Sequence, residues 1–347
     1  MEIQSETIDH ILAQFGLTGH VSKVHKFIDY YDEVSKEVKI IAKVEFADRA
    51  PLIMKILRES EHPMSVVESQ SAFSEYIRSQ GIRTARRYAS DGHYCLPFKL
   101  TDLDVWITVE EDLGEEIQAI DFRLASQIGQ LLGKIHAVSE KGSCLIGRDT
   151  IFNFLGYNEV SGYDVFCELG ETGNLNPDLF QRIQALYKEK LDCVKRQWKE
   201  LPRFATQGDM SINNLTCNGG DLGIFDFNIA GDATLVADMV LQGLLTANEM
   251  PLAEGTGDDD RPELFMQFVQ GYCSERELSK KEKQVVGEIQ ALSAAFWFTT
   301  IRYNDDSLEQ LVERHEQESV TARLKEIYNA LRQTNLGIFN SSGSCLL

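Results

Sequence analysis

The chain has 347 residues, 43% of them hydrophobic and 25% charged, which suits one or two cored domains and argues against wholesale disorder. With 34 basic and 54 acidic residues its net charge is −20. That balance disfavours nucleic acid and an anionic membrane as partners, because both need clustered Lys and Arg, and is compatible with a cationic small molecule.

The seven cysteines are scattered, with no Cys-x-x-Cys pair, so structural zinc is not expected and reduced thiols in a cytoplasmic protein are the simplest reading. The opening residues lack a basic region followed by an apolar run, so no secretory signal is expected. No apolar stretch reaches the roughly 18 residues of a membrane span.

Residues 5–15 carry Ile8, Ile11, Leu12 and Phe15 at helical spacing. Strands are expected at Val24–Tyr31 and Val38–Val44, joined as a hairpin through residues 32–36, and at Leu52–Leu57. Lys55 interrupts that third apolar run. It is either an edge or snorkelling lysine or a phosphate-binding one. A helix over 64–80 stops at Gly81 and places Glu68 and Glu75, seven apart, on roughly one face. Either glutamate is placed to orient Lys55. Strands at Arg86–Ala89, Tyr94–Leu100 and Val105–Val109 follow, with Asp91-Gly92 as a turn.

The pattern then turns helical. Leu124, Ile128, Leu131, Leu132 and Ile135 form a stripe ending near His136, which reads as a packed histidine. Residues 149–175 are aromatic and Gly-containing without clear period, either a loop over a site or a connector. Further helices are expected at 177–200, Leu235–Leu245, Leu264–Tyr272, Lys280–Ile301 and Leu308–Leu331. The acidic run Asp258–Asp260 reads as a solvated loop. There is no internal repeat.

The stretch that carries chemistry is Gln207-Gly208-Asp209-Met210-Ser211-Ile212-Asn213-Asn214, followed by Leu222-Gly223-Ile224-Phe225-Asp226. Phosphoryl transfer needs nucleotide phosphates positioned, their charge neutralised by Mg2+, and an acceptor hydroxyl set beside a base. An acid five residues before an amide, with a second acid at the end of an apolar strand, has that spacing. Asp and Asn oxygens are the hard ligands Mg2+ prefers.

From about residue 20 to 330, and most strongly over 207–238, the chain resembles the aminoglycoside phosphotransferase and choline kinase-like family. The family's usual motif is His-Gly-Asp-x-x-x-x-Asn followed by Ile-Asp-Phe or Ile-Asp-Leu. Here Gln207-Gly208-Asp209 through Asn214, and Phe225-Asp226-Phe227, stand in those places. The resemblance implies a two-lobed α+β, protein-kinase-like fold. Residues 1–110 would form the β-rich nucleotide-binding lobe and 111–114 the hinge. Residues 115–338 would form the helical catalytic and substrate lobe, and 339–347 a tail. It implies Asp209 as the base, Asn214 and Asp226 as Mg2+ ligands, Lys55 on the phosphates of ATP (or GTP), and Glu68 as its partner. Adenine would bond the carbonyl of Glu110 and the amide of Asp112. The acceptor, a small-molecule hydroxyl, would sit between residues 149–175 and the C-terminal helices. Gly231-Asp232 and Ala237-Asp238 would brace the metal loop.

Three departures accompany the resemblance. Gln207 replaces His, Ser211-Ile212-Asn213 replaces the common His-Pro-Gly, and residues 20–46 contain no glycine to cover phosphates. They motivate a second reading, a nucleotide-binding or regulatory pseudokinase without transfer activity. A protein kinase is disfavoured because Asp226-Phe227 is followed by Asn228 and no Ala-Pro-Glu segment follows.

Overall fold

The computed structural model describes residues 5–58, 63–142 and 145–333; the expected tail and Cys144 and Cys345 lie outside them. The first element, α1 (Ser5–Gln14), precedes the hairpin β1 (Val21–Tyr31) and β2 (Val38–Phe46), then β3 (Leu52–Arg58), α2 (Met64–Ser79), β4 (Leu96–Leu100) and β5 (Leu103–Glu111). The five strands form one sheet in the order β1-β2-β3-β5-β4. Every pair is antiparallel.

Alternation along the strands sorts this sheet into two faces. Val38, Ile40 and Val44, Leu52, Met54 and Ile56, and Val105, Ile107 and Val109 point to one side, where Ile8, Ile11 and Leu12 of α1 and Phe15 just after it cover them. Ile41, Lys43, Ile53, Lys55 and Glu110 therefore point to the other, and all five line a single cleft. The strand expected at Arg86–Ala89 is only a bridging segment. Tyr88 N–H donates to the Val109 carbonyl at 2.9 Å and Glu111 N–H to the Arg86 carbonyl at 3.0 Å, and no longer ladder forms. The Asp91-Gly92 turn is present, with both residues at positive φ and Ser90 and His93 exchanging backbone bonds at 2.8 and 2.9 Å.

The helical part begins with α3 (Phe122–Gly142), α4 (Tyr163–Glu171) and α5 (Pro177–Gln197). Four short strands follow, β6 (Arg203–Thr206), β7 (Leu215–Asn218), β8 (Asp221–Ile224) and β9 (Gly231–Thr234). The chain then forms α6 (Leu235–Glu249), α7 (Arg261–Glu275), α8 (Lys280–Ala295), α9 (Phe298–Ile301), α10 (Leu308–Glu313) and α11 (Gln317–Arg332). The helix α4 lies inside the stretch read as irregular; it spans two turns and buries only Phe166, too little for a period to show. The helix expected over 280–301 breaks at Phe296-Trp297, because those residues pair instead with 160–162. The one expected over 308–331 breaks at His315, whose φ is 59°. No disulfide joins the five cysteines among the described residues.

The central helix α6 is buried along nearly its whole length, and its polar residues Asp238 and Gln242 are hydrogen-bonded there, as buried polar groups must be. Beside it α3 and α7 approach closely through glycines. A Cβ on Gly129 would sit 1.9 Å from the Phe268 carbonyl oxygen, and one on Gly271 2.0 Å from that of Ser126. Backbone cannot yield as a flexible side chain can. Gly129→Ala is therefore expected to lower unfolding free energy by about 1–3 kcal/mol, measured by chemical denaturation.

Candidate active site

The loop 207–214 leaves β6, which pairs with β9. Gly208 has φ +81°, and a Cβ there would meet Thr150 Cγ2 at 2.9 Å, so glycine is needed on both counts. The next residue, Asp209, is held from both oxygens. Ser211 N–H donates to Oδ1 at 3.0 Å and Asn214 Nδ2 to Oδ2 at 2.8 Å. Donation by Nδ2 turns the Asn214 Oδ1 away from Asp209, free to serve as a ligand. The hairpin β7–β8 then returns the chain to Asp226, which sits at φ 55°. This left-handed conformation is unfavourable for a residue with a side chain.

Lys55 reaches Asp226 from the sheet. Its ammonium lies 3.0 Å from Asp226 Oδ1 and 3.2 Å from Glu110 Oε1, with the lysine side chain 3% exposed. Arg87 pairs with the other oxygen of Glu110 at 2.8 Å. The pairing expected of Glu68 is not formed. Its carboxylate accepts from the backbone N–H of Tyr94 and Cys95 at 3.0 and 2.8 Å. Glu75 accepts from Arg87 N–H at 2.6 Å and from Arg78. Both glutamates thus tie α2 to residues 87–95, because unpaired N–H groups in that non-strand segment need acceptors.

Three side-chain amides brace the loop, of which Gln207 stands out in the sequence and Gln242 and Gln70 do not. Gln207 donates to the Asp226 carbonyl at 2.9 Å and accepts from Asp209 N–H at 2.6 Å. Gln242 of α6 donates to the Gly208 carbonyl at 2.9 Å and accepts from Met210 N–H at 2.8 Å. Gln70 of α2 donates to the carbonyls of Asn228 and Ala230 at 2.6 and 3.0 Å. Below them Asp238 joins Thr206 and His136, and His136 joins Tyr272. Burial lowers the pKa of His136 against the pull of Asp238, which favours the neutral form of this packed residue. Asp232 caps Ile146 and Gly147 N–H, both at 2.9 Å. For Gln70 and Gln242 the only signal was polarity at helix positions that also suit solvent, whereas Asp232 and Asp238 stand where the family resemblance expects bracing residues.

The two acids differ electrostatically. Burial raises the pKa of Asp209, against the bonds from Ser211 and Asn214, and the charge of Asp226 adds to the rise. Burial also pushes Asp226 up, but the charge and hydrogen bond of Lys55, the charge of Arg87 and the Asn228 N–H together outweigh it and hold that carboxyl below its usual range. One acid is poised to take a proton and the other to stay ionised. Asp226 and Asn214 Oδ1 offer hard oxygen donors that fit Mg2+, which takes one or two carboxylates and completes its shell with phosphate and water.

The lobes enclose a cleft of about 590 Å3 bordered by Lys55, Asp226 and Asn214. Its mouth is edged by Asp112, whose carboxylate pairs with Lys43 at 2.6 Å, and by Gly114, whose N–H donates to Asp112 Oδ1 at 3.0 Å. Glu110 does not lie in this connecting segment. It is within β5, in register with Ile53 and bridged to Arg87, and its side chain forms part of the cleft wall.

A five-stranded antiparallel lobe over a helical lobe, with these groups between them, is the two-lobed protein-kinase-like fold. The chain matches the model of the phosphotransferase enzyme family, APH, over residues 42–280 and belongs to that family. No curated protein matches it significantly. Similar solved structures include an amicoumacin kinase in complex with AMP-PNP, Ca2+ and Ami, at 14% identity and TM-score 0.57, covering 92% of each chain. A microcompartment-associated aminopropanol kinase has 16% identity and TM-score 0.53, over 93% of this chain and 95% of that one. A choline kinase from Cryptosporidium parvum has 12% identity and TM-score 0.51, over 95% and 96%. At these identities the likeness is one of fold.

Removing Lys55 leaves the buried carboxylate of Glu110 and the partly buried one of Asp226 short of a counter-charge. Lys55→Met is expected to lower unfolding free energy by on the order of 3 kcal/mol at neutral pH. A carboxylate with a depressed folded pKa stabilises above its unfolded pKa and loses that stabilisation as pH falls. The gap between variant and wild type is therefore expected to narrow below about pH 4, checked by denaturation at several pH values.

Proposed function

We propose that this phosphotransferase moves the γ-phosphate of ATP to a hydroxyl of a small molecule, with Mg2+ as the metal. The observation that carries this reading is that Lys55, Asp226 and Asn214 line one cleft, with Asp209 hydrogen-bonded to Asn214, although Lys55 and Asp226 are 171 residues apart. Magnesium, when bound, supplies neutralising charge at the phosphate oxygens.

Asn214 Oδ1 and Asp226 would hold that metal, and Lys55 would hold the nucleotide phosphates. Asp209 would orient the acceptor hydroxyl and take its proton. The raised pKa of Asp209 suits that role, because a base matched to its working pH combines ionisation with proton affinity. Backbone at the Asp112–Gly114 edge of the cleft would receive the base of the nucleotide. Phe27 projects from the glycine-free hairpin and lines the same cleft with Ile41 and Ile53, an apolar slot suited to a purine ring.

The acceptor would bind beyond Asp209, between residues 149–175 and the C-terminal helices. Gly162 N–H donates to the Phe296 carbonyl at 2.8 Å and Phe298 N–H to that of Val160 at 3.1 Å, which joins those two regions. Glu249 of α6 accepts from Trp297 Nε1 at 2.6 Å and Thr299 Oγ1 at 2.9 Å. An amine-bearing acceptor, such as an aminoglycoside, amino sugar, choline-like alcohol or hydroxy amino acid, is compatible with the chain's net charge of −20. The departure at Gln207 is compatible with activity. Its amide donates to one loop and accepts from the other, so both strands of the site are tied through one residue.

A screen of hydroxyl compounds for acceptor-dependent ATP consumption is expected to identify substrates. With a substrate in hand, Asp209→Ala should lower kcat by about 10²–10⁴-fold while leaving nucleotide affinity within a few-fold. Wild-type turnover in that variant would refute the base assignment. The pH profile of kcat should fall on the acid side as Asp209 protonates, with a midpoint above the ordinary aspartate value of about 3.9.

A further inference from the structure

The acidic partner of Lys55 comes from the sheet and not from α2. Lys55 is in register with Thr108, and Glu110 is in register with Ile53. The two side chains are thus diagonal neighbours on one face of adjacent strands, within reach of long side chains. Glu110 gives one oxygen to each of two cations, Oε1 to Lys55 at 3.2 Å and Oε2 to Arg87 at 2.8 Å. All three side chains are 2–3% exposed. Two buried cations facing each other would repel, and the carboxylate between them removes that repulsion.

We propose that Glu110, held by Arg87, is the positioning residue for Lys55, so that alignment of the phosphate-binding ammonium is built into the sheet and does not depend on a glutamate of α2. The proposal rests on the phosphotransferase reading above. Its charge balance suits that reading. In the structure Lys55 and Arg87 are matched by Glu110 and Asp226. When Asp226 turns to a metal, Lys55 keeps Glu110, and the group of three carries one net positive charge toward the phosphates. The α2 glutamates act at one remove: Glu75 accepts from Arg87 N–H at 2.6 Å, steadying the segment that presents the guanidinium, while Glu68, among the described residues, pairs with residues 93–95.

The test uses the full chain labelled with 13Cε-lysine, with the Lys55 signal assigned by its loss in Lys55→Arg. In the ligand-free protein, Glu110→Gln is expected to shift that signal and Glu68→Gln to leave it in place. By calorimetric titration with ATP and Mg2+, Glu110→Gln should weaken binding by about 10-fold or more, the loss of one buried ion-pair partner. Glu68→Gln should change it less than about 2-fold. Glu110→Asp, which keeps the charge, should recover part of the affinity and serves as the readable variant if Glu110→Gln fails to fold. A Lys55 signal that moves in Glu68→Gln and not in the Glu110 variants overturns the proposal, as does an affinity loss confined to Glu68→Gln. If the wild type binds no ATP, the functional reading fails, and the ligand-free signal alone still decides the Lys55–Glu110 pair.

Discussion

A lysine ammonium buried beneath a β-sheet must find negative charge, and the way Lys55 does so organises the molecule. One of its carboxylates, Glu110, belongs to the same sheet; the other, Asp226, comes from the helical lobe. The unpaired alternative costs several kcal/mol per ion. The ion pair therefore couples the lobes at the point where nucleotide phosphates would enter. Phosphate and metal would substitute for this contact: phosphate oxygens for Asp226 at the ammonium, and a cation for Lys55 at Asp226.

The helical lobe meets a different demand. Residues 207–210 and 226–230 run without long ladders, so their backbone groups need partners from elsewhere. Three glutamines supply them. An amide carries both donor and acceptor, so one side chain can bridge two backbone groups. Gln207 bridges the loop that carries Asp209 to Asp226, two residues past β8, Gln242 fixes the first loop to α6, and Gln70 fixes the second to α2. Beneath them the Asp238–His136–Tyr272 chain is fully buried, and α3, α6 and α7 pack closely enough that glycine is required at their crossings. Rigidity at the loop is thus continuous with the core. It lets Asp209 and Asp226 remain close with oppositely shifted acidities.

Much of this was legible before any fold was known. The two faces of β2, β3 and β5 follow from period-2 alternation. The stripe of α3 follows from its 3.6 period. The spacing of Asp209, Asn214 and Asp226 follows from a loop and a hairpin that are local in the chain. Less was legible where an element is short or its ends are set from afar. The two-turn α4 has one buried residue, and the break at Phe296-Trp297 exists because residues 160–162 compete for the same backbone groups.

The sequence by itself determined the order of the parts, a β-rich lobe with a lysine on its third strand, then a helical lobe with an acid–amide–acid series. It did so because periodicity and short-range spacing are written along the chain. The tertiary structure alone decided which carboxylate the lysine takes. Glu68 on the following helix was the nearer candidate in sequence, and it is spent on the N–H groups of Tyr94 and Cys95. Glu110 lies 55 residues along the chain from Lys55 and one strand away in the sheet. A buried ion pairs with the charge that folding brings beside it, and sequence distance does not measure that.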